Sequence, residues 1–134
     1  MKRVLFIVLF AVVLFCSGCT DKAATKAAQV ADEFVESYYH ADYARAYEYV
    51  EPALGELVKE AQMAVEALSE DVKEELFSLS SQTEVVRKDL QKGENGEITV
   101  WYDVIIPAEG EIVNHMVTVV FSDERQRWEV VEIR

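Results

Sequence analysis

The chain has 134 residues, 51% hydrophobic and 28% charged, with a formal net charge of −12. This length suits one domain with its own core. The acidity excludes nucleic-acid binding and an electrostatic hold on anionic lipid. The two cysteines, Cys16 and Cys19, are spaced C-x-x-C. A redox pair of this spacing needs a βαβ context and a helix N-terminus, and a zinc site needs two more ligands at suitable spacing. Neither requirement is met, because the histidines, His40 and His115, are far apart and no other cysteine exists.

What precedes the cysteines explains them better. Lys2 and Arg3 are followed by an unbroken apolar run from Val4 to Phe15, then by the small residues Ser17 and Gly18. This is the layout of a secretory signal, and the run is shorter than the roughly 20 residues of a spanning helix. The small-small-Cys ending resembles the lipobox of bacterial lipoproteins. The resemblance implies cleavage between Gly18 and Cys19 and lipidation of Cys19, with Cys16 standing where an aliphatic residue is usual. It implies a signal peptide over 1–18, a lipidated tether over 19–25, a mature chain anchored in the bacterial cell envelope, and the membrane as a partner through the lipid on Cys19. Thr20 after the cysteine is similar to signals passed on to the outer membrane. Losing two positive charges with the signal takes the mature net charge from −12 to −14, so lipid rather than charge would hold the protein.

From about Ala24 the spacing becomes helical. Ala27, Val30, Phe34 and Tyr38 share one face, with Asp32, Glu33 and Glu36 directed away. The pattern breaks at His40-Ala41-Asp42, with His40 read as a solvent-facing turn residue. Asp42 is placed to cap a short helix carrying Tyr43, Ala46, Tyr47 and Val50. Pro52 suits the first turn of a third helix, with an apolar stripe of Leu54, Leu57, Val58, Ala61, Val65 and Leu68. Ser69 with Glu70 and Asp71 marks the start of a fourth, or a kink in the third. Residues 32–75 hold thirteen acids against three bases. These read as a solvated helical face, since no D-x-D-x-D-G calcium loop occurs.

After Ser81 the period becomes two. Thr83–Leu90, Glu97–Ile106, Glu111–Phe121 and Arg127–Ile133 read as strands joined by short turns, an antiparallel meander. Helices first and sheet afterwards predict an α+β domain with helices on one sheet face. A four-residue loop over Pro107–Gly110 pairs Ile106 with Glu111, Tyr102 with His115 and Asp103 with Asn114. Tyr102 and His115 then face the helices, while Trp101, Asp103 and Asn114 face outward. A one-residue change in that loop would reverse the assignment.

Two segments, "VADEFVESYYHADYARAYEYVEP" and "RWEVVEIR", resemble the opening helices and closing strand of the nuclear transport factor 2-like superfamily. Within it the chain is similar to small bacterial lipoproteins sometimes labelled lumazine-binding; no pterin ligand is carried over from that label. The resemblance spans roughly Ala27 to Arg134. It implies a single domain over 26–134 in which a curved sheet wraps the helices as a cone with a pocket at its open end. Superfamily members include isomerases, dehydratases and non-catalytic binding domains, so the fold does not name the function.

An isomerase or lyase in such a cone would need a base and a hydrogen-bond donor inside the pocket. The candidates are His115 as base and Tyr102 as donor, with Tyr38, Tyr39 or Tyr47 from the helices and Glu132 near the last turn. The alternative is a buried His–Tyr hydrogen bond inside a filled core, with Trp101 and Trp128 as packing residues. The leading expectation is a non-enzymatic cone domain, lipid-anchored in the envelope, that binds a small apolar ligand or a protein partner, with no cofactor and no metal. A homodimer through the outer sheet face, with Trp101 and Met116, is a third reading.

Overall fold

The computed structural model describes residues 22–107 and 109–134. The signal segment, Cys16 and Cys19 lie outside the described residues. Among the described residues four helices, α1 (Lys22–Tyr39), α2 (Tyr43–Tyr47), α3 (Pro52–Glu66) and α4 (Glu70–Ser80), precede four strands, β1 (Glu84–Lys92), β2 (Ile98–Ile106), β3 (Glu111–Ser122) and β4 (Arg127–Ile133). The strands form one antiparallel sheet in chain order, giving the expected α+β meander. Residues 22–25, expected to belong to the tether, are helix instead. Ala23 and Ala24 favour helix, and Ala24 is already buried in the core.

Helix α1 crosses all four strands. Its seam of Ala24, Ala27, Ala28 and Ala31 lets the backbone approach the sheet closely, and Phe34 and Val35 complete the buried face. Below them lie Val100, Tyr102 and Val104 of β2, Val117 and Val119 of β3, and Val130 of β4. Alternation on β2 follows the pleat, with Ile98, Val100, Tyr102 and Val104 buried and the residues between them half-buried.

Helix α1 ends where the sequence breaks. Ala41 takes a left-handed φ of 59°. Its N–H donates to the Tyr38 carbonyl, and the Asp42 N–H donates to that of Ser37, the paired bonds of a Schellman ending. The Asp42 side chain accepts from the Arg45 N–H and so caps α2. Pro52 opens α3 as expected. Ser69 takes the N-cap position of α4, although its hydroxyl makes no capping bond.

Between α2 and α3 the chain touches β4. Val50 pairs in parallel with Val130, the Glu51 N–H donates to the Val130 carbonyl, and the Val130 N–H donates to that of Tyr49. Arg127 reinforces this junction by donating to the carbonyls of Glu48 at 2.9 Å and Val50 at 3.4 Å. Two ladders carry an extra residue: Lys88 between Arg87 and Asp89 on β1, and Val131 on β4, where Val119 pairs with Val130 and Thr118 with Glu132.

The apolar stripe of α3 departs from expectation. Val58 is buried and Leu54 lies at the core's edge, but the core and its fringe take no residue from 59–84. Leu57, Leu68, Val72 and Leu79 are exposed. The third and fourth helices therefore form an arm that leaves the core after Val58 and returns at the buried Thr83. His40 Nε2 bonds the Thr83 carbonyl at 3.0 Å, so this exposed histidine pins the return rather than only facing solvent.

Candidate functional site

The observed register pairs Ile106 with Glu111, Tyr102 with His115 and Asp103 with Asn114, as the four-residue loop predicts. Tyr102 and His115 accordingly both meet α1, but they do not meet each other's polar atoms. The Tyr102 hydroxyl donates to Asp32 Oδ1 at 2.7 Å, and Arg87 reaches the second oxygen of Asp32 at 3.1 Å. Asp32, expected to point away, thus faces the sheet. It lies at the border of the buried α1 face, where a tyrosine and an arginine from the strands can reach it. His115 Nδ1 lies 2.9 Å from the Arg134 carbonyl and Nε2 bonds the Tyr39 hydroxyl. A carbonyl only accepts, so Nδ1–H donates and Nε2 is left to accept from Tyr39. The expected buried Tyr102–His115 bond is not formed: His115 is half-buried, bonds Tyr39 instead, and lines with Tyr102 a cavity of about 370 Å³.

The other named residues are scattered. Tyr38 sits among Phe34, Tyr39 and Tyr43, in edge-on contact with the two tyrosines at 5.6 and 5.5 Å. Tyr47 lies against Gly55, where a Cβ would come within 3.0 Å of its ring, and carries Lys59 over its outer face. Glu132 pairs with Thr118, on the face of Met116 and Trp101, and its carboxylate bonds Arg134; it is not beside His115. Trp101 and Met116 are cross-strand neighbours on the outer face, next to the Lys88–Asp103 ion pair at 3.7 Å. Among the described residues no cluster of His, Cys, Asp or Glu could hold a metal ion, and no helix is long and apolar enough to cross a membrane.

Burial holds the inner hydroxyls in their protonated form. Desolvation, helped by the neighbouring Tyr38, pushes Tyr39 up to about 12. Desolvation raises Tyr102 further, helped by its hydrogen bond to Asp32. Tyr43 is raised as well, first by burial. A proton held more tightly in the folded chain stabilises it fully below the ordinary tyrosine value near 10, and that contribution is lost as pH rises through the folded value. In a tyrosinate absorbance titration, the folded chain is expected to leave Tyr39 and Tyr102 silent near pH 10, so Tyr39→Phe and Tyr102→Phe do not reduce the amplitude there. All six tyrosines titrating together near pH 10 would contradict this arrangement.

Another concavity lies between α1, α2 and the β3–β4 hairpin. It is an open cleft of about 990 Å³ walled by Lys26, Val30 and Glu33 of α1, Arg45 of α2, Tyr49, Phe121 of β3 and Arg127 and Trp128 of β4. The register sets Phe121 opposite Trp128, and the rings meet edge-on at 5.6 Å. Phe121 is 41% exposed. Arg45 is tied to Glu33, and Arg127 to the backbone of α2's end. Lys26 has no partner among the described residues.

Of these residues the sequence places Val30 on the inner face of the first helix and directs Glu33 away from it. Trp128 was expected to pack, and Lys26, Tyr49 and Arg127 had no signal. The available clue was an aromatic on each side of the 122–126 turn, which a hairpin brings into register. Beside the strands, Glu129 is 1% exposed although it lies opposite Val120, away from Val130's buried face. Arg125 Nε holds its Oε1 at 2.5 Å, and its Oε2 has no partner among the described residues.

Compared with protein-family models, with curated proteins and with solved structures, the chain finds no match.

Proposed function

We propose that the chain is a non-catalytic binding domain, tethered to the bacterial envelope through lipid on Cys19, that takes a small apolar molecule with an acidic group into the α1–β4 cleft. The domain reads as a nuclear transport factor 2-like cone whose open end is this cleft. The observation that carries the reading is the exposed Phe121 set edge-on to the half-buried Trp128 in the cleft wall, beside Lys26, which has no partner among the described residues. Exposed aromatics beside a few polar groups are the usual lining of a small-molecule site. The lysine gives an anionic end of the ligand a place to lie.

Catalysis is disfavoured by the same geometry. Both ring nitrogens of His115 are engaged by protein atoms, and the Tyr102 hydroxyl is turned onto Asp32. A general base needs its lone pair directed at substrate.

The test uses the mature Cys19→Ser chain and 8-anilinonaphthalene-1-sulfonate, an apolar anionic dye that fluoresces out of water. One saturable site is expected, lost in Trp128→Ala and weakened about tenfold in Lys26→Glu, since a charge contact is worth about 1.4 kcal/mol at that ratio. Leu57→Asp should leave it intact. Dye binding indifferent to Trp128 and Lys26 would refute the cleft. Turnover of any substrate that disappears with His115→Ala would refute the non-catalytic reading.

A further inference from the structure

The arm formed by α3 and α4 carries a second surface, independent of the cleft. On α3, Leu57, Ala61 and Ala64 fall at intervals of four and three residues, the spacing of a coiled-coil seam, and Leu68 follows just past the helix end. Leu57 is 59% exposed. On α4, Val72, Leu76 and Leu79 repeat the spacing, and Val72 and Leu79 are open to solvent. An isolated helix shorter than about 12–15 residues is marginal in water. The 11-residue α4 gains no core packing to offset this, since Ser80 is its one buried residue.

Charge decides what could cover these seams. Between residues 51 and 75 stand eight acids and two lysines. Both lysines are engaged within the arm's own surroundings, Lys73 with Glu70 at 3.3 Å and Lys59 over the Tyr47 ring. A second copy of the chain would bring acidic rim against acidic rim, and an anionic bilayer would repel it in the same way. A helix with an apolar seam and a lysine- or arginine-rich flank meets both requirements.

We infer that the α3–α4 arm is the docking surface for a basic amphipathic helix of another protein. The seams supply the apolar contact, the acidic rim selects the partner's charge, and docking supplies the packing that α4 lacks.

The probe is a synthetic amphipathic peptide of about three heptads, leucine at the seam positions and lysine on the flanks, compared with a glutamate-flanked counterpart. It is titrated into the mature Cys19→Ser chain, with hydrogen exchange as readout. The lysine peptide is expected to bind at least tenfold more tightly than the glutamate peptide and to slow exchange across 57–80, while Val100 and Val119 stay protected as before. Binding should weaken by about tenfold or more in salt near 1 M, where the Debye length falls to about 3 Å. Leu57→Asp with Leu79→Asp should abolish it, and Trp128→Ala should not.

Equal binding of the two peptides, or binding that survives the double variant, would overturn the inference. So would an arm protected without peptide in a chain that sediments as a dimer, or an arm protected by phosphatidylglycerol vesicles and not by the lysine peptide. The double variant lies outside the core, and unchanged protection of Val100 and Val119 shows that it is folded.

Discussion

Phe34→Ala is expected to remove about 3–5 kcal/mol of stability, the usual cost of deleting a buried phenylalanine ring and leaving its cavity behind. The ring is 1% exposed and sits where α1 crosses the sheet, against Tyr38 at 5.9 Å and the valines of β2 and β3. Domains of ordinary stability hold only about 5–15 kcal/mol in total. The variant should therefore melt roughly 10–20 °C lower, or fail to fold at growth temperature. Phe77→Ala is the internal control. Phe77 is 44% exposed on α4, and its loss should stay within about 0.5 kcal/mol, the range of surface changes. Urea unfolding with an unchanged m-value measures both. Equal losses at the two sites would mean that α4 belongs to the core after all.

The second large effect is one of location. Under the proposed anchoring, Cys19→Ser should move the protein completely from the membrane to the soluble fraction and remove the acyl mass from its N-terminus. Each buried methylene holds with about 0.8 kcal/mol, and one acyl chain alone anchors only reversibly, so several chains on one residue are what the tether would rest on. Among the described residues no helix is long and apolar enough to cross a membrane, and the chain is strongly acidic. Membrane fractionation with metabolic palmitate labelling reads the result. A Cys19→Ser chain that still labels, or still pellets with membranes, would remove the anchoring from the proposed function and leave the cleft untouched.

The sheet was legible because its information is local. Counting four residues in the Pro107–Gly110 loop was enough to set Tyr102 opposite His115, and alternation then told the two faces apart. Capping residues did the same for the helices, as Asp42 and Pro52 show. What escaped depends on long-range partners. Asp32 has the charge of a solvent-facing residue, and only the fold brings it Tyr102 and Arg87. Glu129 alternates as an outer residue of β4, and its burial beside Arg125 leaves no trace in the periodicity. The stripe on α3 looks like a core-facing helix at every position, but periodicity shows which side is apolar and not what lies against it. The cleft was missed for a related reason. The polar candidates lie in mid-strand, whereas its aromatic wall stands at the ends of β3 and β4.

The short contact of Val50 with β4 has a consequence for a chain held at high local concentration. A four-stranded open sheet has two bare edges, each a template for strand addition and aggregation. On β4 the bonds through Tyr49 and Glu51 occupy the backbone groups of Val130, so an incoming strand finds that edge already taken at its centre. On β1 the bulge at Lys88 interrupts the regular edge among charged residues. Backbone pairing by an incoming strand is thus blocked at the centre of β4 and interrupted at Lys88 of β1.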